Sequence, residues 1–223
     1  MFSVIAKNYD KANSILSLGN DNLWRTYAAK ECLKIGKNIK VLDVATGTGK
    51  LAFSIAKIAK NRGVRVSITG IDFNEDMLSL AKRKLKGADK EIIEFVIGDA
   101  LSIKYKDCAF NVVTSGFALR NFDNLQNFIN EAHRVLKLGG RLVLLDMAKP
   151  EAGLLNGIMR FYYFNIIPLI GAHYYKNAYI HLVNTVWEFN KEDLIKKVRH
   201  AGFKKIRIKN LTLGAAFVLT AKK

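Results

Sequence analysis

The chain has 223 residues with 36 basic and 19 acidic side chains, a formal net charge of +17. Half of its residues are hydrophobic and only two are proline, which is enough apolar material for a core and excludes a disordered chain. The two cysteines, Cys32 and Cys108, show no C-x-x-C spacing, so we expect reduced thiols in an intracellular protein without a disulfide framework or a zinc site.

Short apolar runs alternate along the chain with amphipathic stretches of helical length. The runs are rich in β-branched residues and bounded by Gly, Asp or Asn, as buried parallel strands are; they cover 41–45, 66–72, 92–99, 110–118 and 141–148. Between them, apolar residues recur at spacings of three and four in "KLAFSIAKIAKNR", "NEDMLSLAKRKLKG" and "NLQNFINEAHRVLKLGG". This alternation predicts an α/β fold with a doubly wound, mostly parallel sheet.

The alternation stops after Pro150 and resumes near residue 191. The intervening segment is aromatic and helix-like, and it precedes the helical pattern "KEDLIKKVRHAGF" and two strand-like runs, 204–211 and 215–223. We expect these two runs to pair antiparallel and to close the edge of a seven-stranded sheet. The prediction is one domain, 1–223, with an N-terminal helical lid (1–30) and a helical insertion (151–190).

We expect a cytoplasmic protein. The charged residues Lys7 and Asp10 lie close behind Met1, and the longest apolar region, 153–172, contains Arg160 and Pro168. A membrane-spanning helix needs about 20 mostly apolar residues without such a charge. We interpret 153–172 as an amphipathic lid or an interfacial segment.

The stretch "VLDVATGTGK" (41–50) places a glycine turn after the first predicted strand. In open α/β sheets the ligand binds beyond the carboxyl ends of the strands, and Gly47 and Gly49 let the backbone approach it closely. The turn also fits the loose pattern of a dinucleotide site. Asp43, however, would repel a pyrophosphate and suits a cationic group. This favours S-adenosylmethionine (SAM), which carries a sulfonium and an ammonium group.

Three successive predicted strands end in aspartate: Asp43, Asp72 and Asp99. Asp72 is placed to accept both hydroxyls of a ribose, and Asp99 to accept from an exocyclic amine or a backbone amide of its own turn. The alternative is that each carboxylate caps a strand-to-helix turn. Three in succession favour the cofactor interpretation.

Longer motifs carry a resemblance to a known family. "VLDVATGTGKLA", "GIDFNEDML", "GDALSI" and "HRVLKLGGRLVLLDMAKP" resemble the ordered motifs of class I SAM-dependent methyltransferases. More narrowly, "YDKANSILSLGNDNLWR" (9–25), "GFALRNF" (116–122) and "NLTLGAAFVLTAKK" (210–223) resemble the ubiquinone/menaquinone biosynthesis C-methyltransferases. The match runs over nearly the whole chain and implies a Rossmann-like class I fold, with SAM as cofactor and S-adenosylhomocysteine (SAH) as product.

The resemblance also assigns cofactor positions residue by residue. They are Thr48, Asp72, Asp99, Ala100 and Gly116, with Gly47 and Gly49 forming the turn. Ala45 stands where many class I enzymes have the first glycine of the turn. Lys50 replaces an acidic residue that is common in the family, and we expect it to point to solvent because it adds positive charge near a cationic cofactor.

The reaction that the resemblance implies is methylation of a ring carbon of a polyprenylated quinol, demethylmenaquinol-like or a ubiquinol precursor, in respiratory quinone biosynthesis. Such a carbon becomes nucleophilic when a neighbouring hydroxyl loses its proton, and a dry, apolar pocket favours the charge-neutralising transfer. The aromatic insertion "MRFYYFNIIPLIGAHYY" (159–175) would enclose the site and contact the prenyl tail. The alternative for this segment is ordinary core packing.

The family motifs place the catalytic residues at Tyr9, Arg120 and Asn121. We predict that Arg120 stabilises a quinolate oxygen, that Asn121 positions a water or hydroxyl, and that Tyr9 completes this network. The alternatives are a surface salt bridge, a helix cap and a packed lid residue, respectively. No cluster has the spacing of a metal site, so we predict none.

One segment departs from the family, and the charge leaves other functions open. In "YIHLVNTVWEFN" (179–190), Asn184, Val186 and Trp187 replace the usual Glu, Ile and Arg, so a methyltransferase of another small molecule is an alternative. The charge would suit an RNA methyltransferase, but this chain lacks the Pro-Pro-Tyr type of turn that base N-methylation commonly uses after the fourth strand. A SAM-binding scaffold is the non-enzymatic alternative. The basic surface is interpreted either as a solvated, lysine-rich surface or as a contact with anionic membrane lipid. The aromatic insertion is a candidate homodimer face.

Overall fold

The computed structural model describes residues 14, 17–149, 154–166 and 183–223. The helices are α1 (Asp21–Cys32), α2 (Lys50–Asn61), α3 (Glu75–Lys84), α4 (Asp89–Ile92), α5 (Leu125–Val135), α6 (Leu154–Phe161) and α7 (Lys191–His200). The strands are β1 (Asn38–Val44), β2 (Arg65–Asp72), β3 (Ile93–Ile97), β4 (Phe110–Gly116), β5 (Leu136–Met147), β6 (Lys204–Leu211) and β7 (Ala216–Lys222). Short 3₁₀ helices cover Leu33–Ile35, Leu119–Asn121 and Thr212–Gly214, a π-helix covers Tyr162–Ile166, and 183–188 are helical.

The seven strands form one sheet in the order β3-β2-β1-β4-β5-β7-β6. Strands β1 to β5 pair in parallel, while β7 lies antiparallel between β5 and β6. The predicted doubly wound, mostly parallel sheet with an antiparallel pair at its edge is therefore confirmed. The strand order switches at β1 and β4, and a crevice opens beyond their carboxyl ends.

One predicted boundary is wrong. The helix expected over 124–140 ends at Val135, and β5 begins at Leu136. Leu136 pairs with Phe110 before an irregularity shifts the register of β4 against β5, and Gly139 adopts a φ of 73° within the shifted stretch. Gly139 and Gly140, which were predicted to end the helix, instead lie in an irregular stretch inside strand β5.

Apolar layers cover both faces of the sheet, because successive side chains of a strand point to opposite sides. On one face, α1 and α2 bury Trp24, Ala28 and Ile55; on the other, α5 and α7 bury Phe128 and Leu194. Burying each of the larger side chains contributes roughly 1.5–3 kcal/mol. Helix α1, which occupies part of the predicted lid, is thus a helix of the core.

Within the described residues, no helix is long and apolar enough to cross a membrane. The same residues hold no group of three His, Cys, Asp or Glu side chains placed to bind a metal ion. Cys32 is buried and Cys108 is exposed, and both are free thiols.

Candidate active site

Two adjoining cavities lie at the switch point of the sheet. The larger, of about 420 Å³, is lined by five of the predicted site residues: Gly47, Asp72, Asp99, Ala100 and Asn121. The smaller, of about 30 Å³, is lined by three more: Asp43, Thr48 and Gly116. Ala45 and Gly47 line both cavities, so the two form one elongated site.

Two residues that line the larger cavity hold strained backbone conformations. Ala45 follows β1 with a φ of 53°, and Phe117 follows β4 with a φ of 63°. A left-handed conformation costs a residue with a Cβ on the order of 1–2 kcal/mol, and such strain concentrates at functional sites. The turn after β1 is held in place by the Thr46 amide, which donates to the Ile71 carbonyl at 2.9 Å.

Asp72 connects the glycine turn to the end of β2. Its Oδ2 accepts the Gly47 amide at 2.8 Å, and its Oδ1 accepts the Asn74 amide at 2.9 Å. Burial raises the pKa of Asp72, and these two backbone amides act against that rise. Each carboxylate oxygen can accept a further hydrogen bond, so capping of the turn and binding of a ribose are compatible roles.

Asp43 is 1% exposed. Its Oδ2 accepts from the Thr46 hydroxyl at 2.6 Å, whereas its buried Oδ1 has no hydrogen-bond partner in the part of the chain that the structure describes. Burial raises the pKa of Asp43 to about 7, with the Thr46 hydroxyl opposing and the Asp72 charge adding to the rise. A buried carboxylate oxygen left in this state suits a cationic hydrogen-bond donor.

Asp99 is exposed beside the larger cavity. Its Oδ1 accepts the Leu101 amide at 2.8 Å, which is the predicted hydrogen bond to a backbone amide of its own turn. Ala100 and Leu101 continue the cavity wall.

The three candidate glycines differ in what surrounds them. A Cβ at Gly47 would meet no atom within 4 Å, so this position is open to a ligand. A Cβ at Gly49 would lie 2.6 Å from Cζ of Phe95, and Gly49 lines neither cavity. Gly49 therefore shapes the turn through packing. At Gly116, a Cβ would lie 3.2 Å from Cδ2 of Leu51.

The three predicted catalytic residues are placed differently. Arg120 is buried away from both cavities, with its Nε donating to Asp146 Oδ1 at 2.7 Å and its Nη1 lying 3.5 Å from Thr185 Oγ1. The alternative of a surface salt bridge is wrong because the pair is buried. The predicted contact of Arg120 with a quinolate oxygen stays a prediction, and Arg120 lines neither cavity. Asn121 lines the larger cavity, and its buried Oδ1 has no hydrogen-bond partner among the described residues. Tyr9 lies outside the described residues.

The model of the ubiE/COQ5 methyltransferase family matches residues 1–223. The chain belongs to this family. It is 42% identical over 219 residues to a Deinococcus radiodurans protein named demethylmenaquinone methyltransferase, covering 97% of this chain and 88% of that protein.

A second relative, from Geotalea daltonii, is named ubiquinone/menaquinone biosynthesis C-methyltransferase UbiE. It is 38% identical over 226 residues, covering 100% of this chain and 94% of that protein. Among solved structures, a Thermotoga maritima protein described as a SAM-dependent methyltransferase and possible histamine N-methyltransferase superposes with a TM-score of 0.66. It is 18% identical, with 100% of both chains covered, and shows the shared fold.

Lys50, where this chain departs from the family, is not directed to solvent as predicted. Its Nζ lies 3.5 Å from Oδ2 of the buried Asp21, and the residue lines the smaller cavity. Arg25, which sequence reasoning missed, lines the same cavity and is 4% exposed. Its guanidinium lies 4.7 Å from the centre of the Phe117 ring. The signal for Arg25 was its place in the family motif "YDKANSILSLGNDNLWR".

The described part of the insertion packs against the core. Met159 and Tyr163 are buried, and the Tyr163 ring lies 5.6 Å from that of Trp187. Burial raises the pKa of Tyr163, so it stays a neutral phenol at physiological pH. Residues 167–182, which include much of the predicted aromatic enclosure, lie outside the described residues.

Proposed function

We propose that this protein binds SAM in the two joined cavities and methylates a ring carbon of a polyprenylated quinol, demethylmenaquinol-like or a ubiquinol precursor. Family membership and the names of the two relatives support this reaction class. The observation that carries the cofactor assignment is the buried Oδ1 of Asp43, which has no hydrogen-bond partner among the described residues.

The residues present fit SAM at both ends. The larger cavity has room for a nucleoside, and Asp72 and Asp99 offer carboxylate oxygens to ribose and base. The Asp43 carboxylate lines the smaller cavity, where a ligand ammonium group would replace the hydration that the carboxylate loses on burial. A dinucleotide fits poorly, because its pyrophosphate would approach Asp43 and Asp72 together.

When bound, SAM supplies an electrophilic methyl group on its sulfonium. Asn121 then acts on the acceptor side, where its amide holds the quinol hydroxyl or a water that takes the hydroxyl proton. Phe73, Phe117 and Phe122 line the same cavity and give it apolar walls, which favours the union of an anionic ring with a cationic methyl donor. Tyr9 belongs to this proposed network through its family motif.

Arg120 acts through other residues in this proposal. Asp146 accepts from Arg120 Nε and, through Oδ2, from the Leu119 amide at 2.9 Å. The ion pair therefore attaches the 3₁₀ helix to the end of β5, and this helix contains Asn121. The contact of Nη1 with Thr185 extends the same support to 183–188.

We further propose a cytoplasmic enzyme that meets its substrate at the inner face of the membrane. The charge of +17 attracts anionic lipid, with about 1 kcal/mol for each basic residue that faces the surface. The proposed membrane contact would be contradicted if binding to lipid vesicles stayed the same when salt was added and when anionic lipid was left out. A homodimer through the insertion remains part of the proposal and is tested by the mass in solution.

The reaction is tested by incubating the purified protein with SAM and a panel of demethylated quinols that vary in head group and tail length. We expect methylated product by mass spectrometry for one head group, with activity increasing with tail length. Asn121→Ala should lower the rate constant while SAH binding persists. SAH binding without product on any quinol would favour a different small-molecule acceptor, since Asn184, Val186 and Trp187 depart from the family in 179–190.

A further inference from the structure

A further cavity, of about 250 Å³, lies where strands β5, β7 and β6 run side by side. Its lining comes from these three strands: Arg141, Lys205, Arg207, Thr220, Ala221 and Lys222. Arg141 lies six residues before Met147, the last residue of β5, which corresponds to roughly 20 Å along the strand. This edge cavity is therefore separate from the crevice at the carboxyl ends of the parallel strands.

The strand pairing places cations of the edge cavity directly opposite one another. Lys222 of β7 pairs with Arg141 of β5 on one side and with Lys204 of β6 on the other. Arg207 pairs with Thr220, two residues before Lys222, and so shares the same face of the sheet. Like charges directly opposite each other destabilise a sheet. An anion between these side chains would offset that repulsion.

An irregularity in β6 brings one more cation to the edge cavity. The register of β6 against β7 shifts between Lys204 and Arg207, and Lys205 within the shift has a φ of 50°. Such a conformation is uncommon for a residue with a Cβ, and bulges of this kind redirect side chains. As a result, Lys205 and Arg207 line the same cavity.

Little negative charge is available to these cations. Among the described residues, no acidic side chain lines the edge cavity. Glu31 of α1 accepts from the Arg141 guanidinium, but its other oxygen accepts from Lys34. One carboxylate is thus divided between two cations.

The donors of the edge cavity are largely unpaired within the part of the chain that the structure describes. The side chains of Lys205, Arg207 and Lys222 take part in no hydrogen bond or ion pair there. The Nε of Arg141 is buried and has no hydrogen-bond partner among the same residues. A buried donor without an acceptor is unfavourable, so this wall of the cavity suits an anion.

We propose that the edge cavity is a binding site for a phosphate group. A phosphate ester carries a charge of about −1.5 to −2 at pH 7 and three acceptor oxygens, which matches several cations around one point. Arginine binds phosphate through its planar fork of donors and lysine as a point charge, and the Thr220 hydroxyl adds a donor. A soluble phosphate ester and a lipid headgroup share this chemistry. The proposal does not depend on SAM or on the quinol.

The test compares Arg207→Glu with the control Lys209→Glu, which changes an exposed residue of the same strand outside the cavity lining. Both variants change the net charge equally, so the control corrects for general attraction of anions to a chain of charge +17. Arg207 is exposed as well, so neither variant removes a buried side chain. The first arm measures binding of inorganic phosphate by calorimetry at constant ionic strength. The second measures sedimentation with phosphatidylcholine vesicles that contain or lack phosphatidic acid.

We expect one phosphate per chain, bound at least tenfold more weakly by Arg207→Glu and within twofold of the wild type by Lys209→Glu. This result, with equal vesicle binding of the two variants, supports the site and identifies a soluble phosphate ester as its ligand. Loss of the phosphatidic acid-dependent binding in Arg207→Glu alone supports the site with a lipid headgroup as its ligand. The proposal is overturned if the two variants behave alike in both arms. SAH affinity should be the same in all three proteins, and a wild type that binds no SAH would contradict the proposed function but not the phosphate site.

Discussion

The proposed cofactor end and the proposed acceptor end of the site are held in different ways. At the proposed cofactor end, the turn after β1 is joined to the end of β2 by the Thr46 amide, which donates to the Ile71 carbonyl, and by the Gly47 amide, which donates to the Asp72 carboxylate. At the acceptor end, Asn121 lies on a 3₁₀ helix anchored by the buried Arg120–Asp146 pair. The geometry of the proposed cofactor end thus depends on contacts between neighbouring strands β1 and β2, whereas that of the proposed acceptor end depends on one ion pair.

The largest effect that separates the two ends is expected from Arg120→Met. Removing one partner leaves Asp146 buried and uncompensated, so the free energy of unfolding should fall by about 3–5 kcal/mol in urea denaturation. SAH affinity of the folded protein should stay within threefold, because the cofactor end does not use this pair. The control is Lys197→Met, which breaks an exposed pair with Asp193 and should cost no more than about 1 kcal/mol. Equal losses of the free energy of unfolding in the two variants would contradict the proposed anchoring role of the Arg120–Asp146 pair.

A complementary effect is expected from Asp72→Ala at the cofactor end. The Gly47 and Asn74 amides lose their acceptor, and a hydrogen bond to a charged group is worth about 1.5–3 kcal/mol. SAH binding, measured by calorimetry, should weaken by roughly 10- to 150-fold on this estimate. Asp76→Ala, which changes an exposed residue of α3, is the matched control. A loss below threefold for Asp72→Ala would show that the ribose binds elsewhere.

The pH dependence of stability and of binding tests whether Asp43 receives a cationic partner from the ligand. Its folded pKa of about 7 lies above its ordinary value, so the folded ligand-free protein holds this proton more tightly than the unfolded chain does. Stability of the ligand-free protein should therefore fall as pH rises from about 4 to about 7, and Asp43→Asn should flatten that slope.

SAH affinity should change in the opposite direction. An ammonium ligand binds the ionised carboxylate, so affinity should rise roughly tenfold between pH 6 and pH 8. Calorimetry in buffers of different ionisation enthalpy should detect proton release near pH 6. Affinity that is independent of pH would show that Asp43 does not contact the ammonium.

The smallest effect is expected from Ala45→Gly in the strained turn. Glycine tolerates the φ of 53° but increases the entropy of the unfolded chain, so we expect a net gain of only about 0.5–1 kcal/mol. SAH binding should stay within twofold. Ala45→Val should instead destabilise the protein, because a β-branched residue fits this conformation poorly. A loss of stability in the glycine variant would mean that the turn is not strained.

The same contrast explains what the sequence can predict. The cofactor end follows from local pattern, because an apolar strand, a terminal aspartate and a glycine turn are neighbours along the chain. Asp43, Gly47 and Asp72 were therefore singled out from the sequence, and all three line the two cavities. The doubly wound parallel sheet that brings them together also follows from the alternation of strands and helices.

Side-chain partners that come from distant segments could not be predicted in this way. The direction of Lys50 depends on Asp21, which lies on another helix, and the burial of Arg120 depends on Asp146 at the end of the adjacent strand β5. Gly139 and Gly140 resembled the end of a helix because a glycine pair serves equally well in a helix cap and in a bulge. Tertiary pairing decides between these uses.

The most direct measurement is transfer of a deuterated methyl group from SAM to a prenylated demethylmenaquinol, with the label located by tandem mass spectrometry. A cofactor held against Asp43 and Asp72, next to an acceptor positioned by Asn121, predicts a deuterated methyl on a ring carbon. A label on a quinol oxygen, or no transfer by a protein that binds SAH, would contradict carbon methylation at this site.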